Sequence, residues 1–184
     1  MKKPLLVIVS GPPAAGKTAL GRRVARALRL PFINKDGIKE SLFDTLGWRD
    51  RAWSKQLGQA SSELLWHFVE AQLAAGASLV IESNFDSRFA TPRLRALRER
   101  FAFEPVQIQC IAAGAVLWQR FQARAASGER HPGHVDQLNG AELRARLLNP
   151  KLDLLDIGGV VIEVDTTNFE QLDYDRLIAA IRKI

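Results

Sequence analysis

The sequence has little of what stabilises exported or membrane-bound proteins. Among its 184 residues is a single cysteine, Cys110, so no intramolecular disulfide can form. The apolar run at its start, Leu5 to Val9, is too short for a membrane span or a signal peptide. We therefore expect a reducing, cytoplasmic setting without a membrane partner. The length suits one domain, residues 1–184.

Acidic residues are fewer than basic ones. The chain has 20 Asp and Glu residues against 26 Lys and Arg, which gives a formal net charge of +6. This excess favours acidic partners, either nucleic acid or a small molecule with several phosphate groups. No basic run is interleaved with aromatic residues, as many nucleic-acid surfaces are. A phosphate pocket would need the same arginines, nucleic acid stays open, and a solvated surface position is the first interpretation for most individual arginines.

Apolar runs of strand length alternate with amphipathic segments of helical period along the whole chain. This alternation predicts an α/β fold with a parallel sheet. The expected strands are 5–9, 31–34, 78–82, 105–110 and 160–164. The expected helices are 17–30, 36–46, 51–75, 87–100, 115–126, 141–148 and 169–182.

A glycine-rich segment follows the first expected strand and opens the first expected helix. It reads Gly11, Pro12, Pro13, Ala14, Ala15, Gly16, Lys17, Thr18 and matches G-x-x-x-x-G-K-[ST] in full. We call it the phosphate loop. Its N–H groups, those of the helix start at Ala19 and the Lys17 ammonium suit phosphate, and the Thr18 hydroxyl suits Mg²⁺.

Two other nucleotide-binding classes are disfavoured. The dinucleotide pattern G-x-G-x-x-G is absent. A GTPase would carry N-K-x-D after a late strand, whereas Asn34-Lys35-Asp36 comes early and lacks that spacing. The sequence therefore predicts ATP with Mg²⁺ as the bound nucleotide.

Residues 127–139 form the one clear irregular segment, which we interpret as a lid of about residues 120–140. Arg120 and Arg124 lie four apart and so share a helix face, and Arg130 follows in the loop. Arginines on a closing lid stabilise the charge that develops during phosphoryl transfer. The alternative for each is a solvated surface position.

Histidine and tryptophan invite weaker hypotheses. His131 and His134 have no nearby cysteine or acidic pair to complete a metal site, so a lid hinge or a substrate contact is favoured. Trp48, Trp53 and Trp66 either line a substrate cleft or pack in the core.

The chain resembles the small P-loop kinases, within them the AAA-type group of predicted kinases that is similar to chloramphenicol phosphotransferase, zeta toxins and polynucleotide kinase domains. The resemblance implies a three-layer fold with a five-stranded parallel sheet in the order 2-3-1-4-5, a helical lid and a substrate-binding helical region at about 37–75. It rests on the phosphate loop, Lys35-Asp36, Val80 to Asn84, the arginine-rich lid and Val164 to Thr167.

The resemblance also implies roles for two residues after the second strand. Asp36 occupies the position of the acid that takes the proton of the substrate hydroxyl, although Asp also caps helices well. Related kinases often have an arginine three residues later, where Lys39 stands. Lysine lacks the bidentate fork that suits a phosphate, which weakens a nucleoside-monophosphate acceptor.

Other implied roles lie at later strand ends. Glu82 would orient Mg²⁺, Asn84 and Arg88 would contact substrate, and the alternative for these positions is helix capping or solvent contact. Asp165 and Thr167 follow the last strand, where related kinases hold the adenine edge. The implied catalytic residues are Lys17, Asp36, Arg124 and Arg130.

Three hypotheses follow from these residues. The first is an ATP-dependent kinase that phosphorylates a hydroxyl of a small molecule. The second is a polynucleotide 5′-end kinase or a nucleic-acid repair accessory. The third is an ATP-binding regulator without acceptor phosphorylation. The sequence does not determine whether the protein is a monomer or a dimer.

Overall fold

Strands and helices alternate in a computed structural model that describes residues 3–128, 130–134, 140–150 and 153–184. The strands are β1 (Leu5–Ser10), β2 (Phe32–Asn34), β3 (Leu79–Glu82), β4 (Glu104–Ile111) and β5 (Val160–Asp165). The helices are α1 (Lys17–Leu28), α2 (Lys35–Leu46), α3 (Arg51–Ala74), α4 (Ser87–Arg100), α5 (Gly114–Ser127), α6 (Gly140–Leu148) and α7 (Tyr174–Arg182).

All five strands are parallel and lie in the order β2-β3-β1-β4-β5, which confirms the expected topology. The register places Glu82 of β3 opposite both Val9 of β1 and Asn34 of β2. The carboxyl ends of these three strands are therefore level. The segments that follow them open at one edge of the sheet, where ligands bind in parallel α/β folds.

Two hydrophobic layers enclose the sheet. On one face, Val7 and Val9 belong to a core cluster with residues of α1, α5 and α7. On the other face, Leu6 and Ile8 belong to a cluster with residues of α3 and α4. Because β1 is buried on both faces, its sequence is apolar without alternation. Within the described ranges, no helix has the length and apolar character that crossing a bilayer requires.

The last expected helix is shorter than predicted. Residues 169–182 divide into a 3-10 turn at Phe169–Gln171 and α7, which begins at Tyr174. The side chain of Asn168 accepts a hydrogen bond from the backbone of the turn, and that of Asp173 accepts one from the first turn of α7. Because Asn168 and Asp173 each cap the start of a separate element, the stretch forms a turn and a helix, whereas helical periodicity predicted one continuous helix.

Thr166 ties the last strand to the phosphate loop. Its side chain is fully buried, and its Oγ1 lies 2.9 Å from the carbonyl oxygens of both Ala15 and Ile111. Its backbone N–H also donates to the Ile111 carbonyl at 2.8 Å. This residue therefore joins three segments of the nucleotide side of the sheet, which the sequence did not indicate.

Replacing Thr166 by valine should lower the free energy of unfolding by about 1–3 kcal/mol, because buried carbonyl oxygens lose a hydrogen-bond donor while the side-chain shape is retained. Urea denaturation measures the change. Thr166→Ser, which keeps the hydroxyl and loses a methyl group, should stay within about 1 kcal/mol of the parent. Equal stability of the valine variant and the parent would refute this tie.

Candidate active site

The phosphate loop has the backbone conformation that an anion cradle needs. Ala14 and Gly16 adopt left-handed φ values of 63° and 73°, and Gly11 has a φ of 141°. Alternation of left- and right-handed residues turns successive N–H groups toward one concavity. A Cβ on Gly11 would lie 2.4 Å from the Cys110 carbonyl oxygen, so this glycine is required for close approach to β4.

Lys17 is held inside this loop. Its side chain is buried, and its Nζ donates to the Pro12 carbonyl oxygen at 2.8 Å. Burial lowers the pKa of Lys17, and the nearby Glu82 carboxylate opposes that shift. An added anion would stabilise this buried ammonium further, as expected for a phosphate-binding lysine.

Thr18 and Glu82 form a pair of oxygen ligands beside the loop. The Thr18 hydroxyl donates to Glu82 Oε2 at 2.8 Å, although 64 residues separate them in sequence. Burial raises the pKa of Glu82, while Lys17 and the Thr18 hydrogen bond lower it. Hydroxyl and carboxylate oxygens are ligands that Mg²⁺ prefers, so this donor set fits the predicted magnesium site.

A cavity of about 420 Å³ lies over the phosphate loop, and we call it the phosphate-loop cavity. Tertiary structure brings to it predicted residues that are far apart in the sequence. Besides loop residues, its lining includes Lys35, Asp36, Glu82, Asn84, Arg120, Arg124 and Arg130.

Asp36 lies in the first turn of α2, whose N-cap position is Asn34. Its carboxylate pairs with the Arg130 guanidinium at 3.3 Å. Burial raises the pKa of Asp36, but Arg130, His134 and Lys17 together outweigh burial, and the net pKa is below its usual value. Asp36 is therefore an ionised carboxylate facing the phosphate-loop cavity at neutral pH.

Residues 130–134, which we call the lid segment, dock on a row of carboxylates along α2. The pairs are Asp36 with Arg130 at 3.3 Å, Glu40 with His134 at 2.9 Å and Asp44 with His131 at 3.2 Å. Spacing of four residues puts all three acids on one helix face. The lid segment is thus held to α2 along its length.

Aromatic packing strengthens this docking. The His131 ring stacks on Phe43 with centroids 5.0 Å apart, and His134 meets the same ring edge-on at 5.5 Å. A Cβ on Gly133 would lie 2.8 Å from Phe43. The histidines therefore anchor the lid segment to α2.

The described ranges contain no group of three or more His, Cys, Asp or Glu residues placed to hold a metal. Of the predicted lid, about 120–140, Glu129 and residues 135–139 lie outside the described residues, and its first part lies in α5, which ends at Ser127.

Arg120 contacts the loop after β5. It donates to the carbonyl oxygens of Thr166 and Thr167 at 2.9 and 3.0 Å, and its guanidinium lies 5.0 Å from the Phe169 ring centroid. It also lines the phosphate-loop cavity, as does Arg124. Both arginines lie in α5, which ends at Ser127, so a helix positions them, as their four-residue spacing predicted.

Asp165 and Thr167 make local contacts at the same loop. Hydrogen bonds with the side chain and the N–H of Thr167 lower the pKa of Asp165, and the N–H donates to Asp165 Oδ1 at 2.8 Å. Thr167 Oγ1 accepts from the Ala113 N–H at 3.0 Å. Both residues line a separate cavity beside α7 and β5, outside the phosphate-loop cavity. Their contact with a nucleotide stays a prediction.

A second cavity, of about 830 Å³, lies between α2, α3 and the start of α4, and we call it the α3 cavity. It shares Lys35, Ser83 and Asn84 with the phosphate-loop cavity. Lys39 lines it and donates to Ser54 Oγ at 2.9 Å. The predicted substrate residues Lys39 and Asn84 therefore border a space that adjoins the phosphate loop.

Arg88 and the tryptophans are placed differently. Arg88 is exposed, pairs with Asp86 at 2.6 Å and lines a third cavity, beside the phosphate loop and α6. Trp66 borders the α3 cavity and packs against Phe85. Trp53 donates from Nε1 to the Gly47 carbonyl oxygen, and Trp48 is half exposed near the lid segment.

Lys35 was not among the predicted ligands, although it lines both cavities. The only feature of the sequence that could have indicated a role for Lys35 was its position directly before Asp36. Sequence position alone does not tell whether such a lysine faces a cavity or solvent, because that depends on how α2 packs against α3.

Comparisons with known proteins agree with this fold. Residues 6–150 match the AAA_33 family model, which is described as an AAA domain. The crystal structure of a predicted kinase from Chloroflexus aurantiacus J-10-fl superimposes with a TM-score of 0.94 at 40% sequence identity. That match covers 99% of this chain and 98% of the other.

Curated relatives match over shorter stretches. Cytidylate kinase from Nitratidesulfovibrio vulgaris is 30% identical over 112 residues, which are 59% of this chain and 47% of that protein. Shikimate kinase from Corynebacterium efficiens is 39% identical over 64 residues, or 35% and 31% of the two chains. The chain thus spans about half or less of the length of these curated relatives. Because the family model covers most of the chain, the protein belongs to the AAA_33 family and is a kinase-like P-loop protein.

Proposed function

We propose that the protein is an ATP-dependent phosphotransferase that transfers the γ-phosphate to a hydroxyl group of a small molecule. One observation carries the proposal: Lys17 and Asp36 line the same cavity. A phosphate-binding cation and an ionised carboxylate at one site suit the transfer of a phosphoryl group to a hydroxyl. We propose a single domain over 1–184, with acceptor contacts in the helical region 37–75.

The phosphate loop and its surroundings hold the nucleotide in this proposal. Backbone N–H groups of the loop and the Lys17 ammonium bind phosphate oxygens, and Thr18 and Glu82 hold Mg²⁺ directly or through water. When bound, MgATP supplies the transferable phosphoryl group. Arg124 and Arg130 line the same cavity and neutralise charge on that group.

Asp36 accepts the proton of the attacking hydroxyl. Because the net pKa of Asp36 is lowered, the carboxylate is ionised and ready to accept a hydrogen bond at neutral pH. Arg130 lies against it and belongs to the lid segment, so lid docking and base ionisation are linked. Asn84 borders both cavities, where it can orient the acceptor between Asp36 and the phosphate loop.

The direct test measures ADP release across sugars, sugar acids, nucleosides, nucleoside monophosphates and antibiotics. We expect acceptor-dependent ADP release that Lys17→Met abolishes. ATP binding without acceptor-dependent release by any compound would instead support an ATP-binding regulator.

A nucleic-acid acceptor is the weaker alternative. Four arginines on α4 are ion-paired, which reduces the exposed positive charge of that helix. The pairs are Arg88 with Asp86, Arg93 with Glu63, Arg95 with Asp156 and Arg100 with Glu70. Nucleic-acid binding that weakens steeply with rising salt in a mobility-shift titration would favour the alternative.

Asp36→Asn should lower kcat by about 10²- to 10⁴-fold, because the amide retains the side-chain size but cannot accept the hydroxyl proton. ATP affinity, measured by calorimetry, should change little. Asp44→Asn is the matched control, since Asp44 lies in the same row of carboxylates but does not line the phosphate-loop cavity. Unchanged turnover of Asp36→Asn would remove Asp36 as the base.

Arg130→Met should move the acidic limb of the kcat/KM profile to higher pH. Arg130 lowers the pKa of Asp36, so its loss leaves burial as the main effect and raises that pKa. Activity is lost as pH falls through the pKa of Asp36, because the protonated acid accepts no proton. Arg130→Lys keeps the charge and should keep the limb near its original position. Identical limbs in the parent and Arg130→Met would contradict this coupling.

A further inference from the structure

Helix α2 carries two charged rows on different faces. The acidic row meets the lid segment through Asp36, Glu40 and Asp44. Lys35 and Lys39, also four residues apart, form a second row that lines the α3 cavity. The acids therefore face the lid segment, and the lysines border a space large enough for a ligand.

Lys35 makes fewer polar contacts than Lys39. It is half-buried and lines both cavities, and it has no hydrogen-bond or ion-pair partner among the described residues. Burial lowers the pKa of Lys35, and the neighbouring Asp36 opposes that shift. An ammonium removed from water without a counter-ion is costly, so a bound anion would stabilise it.

The other charged residues of the α3 cavity also favour a bound anion. The two acids among its described lining residues, Glu63 and Asp86, are paired with Arg93 at 2.8 Å and Arg88 at 2.6 Å. Lys55 adds a further cation to the lining. Both carboxylates of the described lining are therefore already engaged by arginines, and lysines line the same cavity.

Lys39 is placed to share an anion with Lys35. Its Nζ donates to Ser54 Oγ on α3 at 2.9 Å, so its ammonium lies across the space between α2 and α3. Its Nζ also lies 5.1 Å from the Phe43 ring centroid. These contacts restrict the side chain, which lowers the entropy that it would lose on binding a ligand.

We propose that the phosphate acceptor is a small hydroxyl compound with an anionic group of its own, and that Lys35 and Lys39 bind this group in the α3 cavity. The hydroxyl then faces Asp36 in the adjoining phosphate-loop cavity. This inference rests on the proposed function and narrows its acceptor class. The volume of about 830 Å³ admits a sugar-sized molecule.

A neutral analogue binds more weakly under this proposal. It displaces water from the Lys35 ammonium and provides no charge in return, so the site rejects it. The anionic group can be a carboxylate or a phosphate monoester, which lysine binds as a point charge in either case.

The first experiment compares matched compounds that share a carbon skeleton and differ in charge. The sets are glucose, gluconate and glucose 6-phosphate; ribose and ribose 5-phosphate; and cytidine and cytidine 5′-monophosphate. Calorimetry with the protein saturated by MgADP measures binding, and ADP release measures turnover. We expect at least one anion to bind roughly 10-fold or more tightly than its neutral match. The compound that binds most tightly shows whether the site prefers a carboxylate or a phosphate group. Equal or no binding within every set overturns the proposal.

The second experiment tests whether Lys35 and Lys39 bind the anionic group of the acceptor. Lys35→Met and Lys39→Met should each raise the KM of the preferred anionic acceptor by roughly 10- to 100-fold, with a smaller effect on kcat and on the KM for ATP. Lys183→Met removes the same charge at the end of α7 and should leave these constants unchanged. If Lys35→Met raises only the KM for ATP, Lys35 belongs to the nucleotide site and the proposal is wrong.

The two proposals fail in different ways. Charge-selective binding without ADP release retains the anion site and refutes phosphoryl transfer. ADP release that is equal for neutral and anionic acceptors retains the kinase and refutes the anion site.

Discussion

The level carboxyl ends of three adjacent strands are the constraint on which the site depends. Glu82 lies opposite Val9 and Asn34, so the phosphate loop, the start of α2 and the loop after β3 leave the sheet at one height. Hydrogen bonding between the parallel strands holds this register. The Thr18 to Glu82 hydrogen bond is a direct consequence of this alignment.

Helix α2 begins at that edge of the sheet and borders both cavities. Its acidic face receives the lid segment, and its basic face borders the α3 cavity. One helix therefore carries the proposed base, the docking surface for the lid segment and the proposed acceptor contacts. Because a helix is rigid over these few turns, its packing on α3 couples the positions of all three groups.

Several features followed from local patterns alone. The phosphate loop, the alternation of strands and helices and the parallel sheet depend on short-range spacing and burial, which the sequence displays directly. The strand order came from family resemblance and is confirmed. The division of 169–182 into a turn and α7 was missed, because side-chain caps at Asn168 and Asp173 compete with helical periodicity.

The sequence did not predict which side chains contact each other. The pattern determined the phosphate loop, and the family resemblance indicated Asp36. Neither revealed that Arg130 pairs with Asp36 or that both histidines anchor the lid segment on α2. Nor did they identify Lys35 as a cavity residue or Thr166 as the tie between β5 and the phosphate loop. These contacts join residues tens of positions apart, and only the tertiary packing of helices on the sheet decides which of them meet. Local spacing determines secondary structure and loop chemistry, whereas the pairing of charges depends on distances that folding creates.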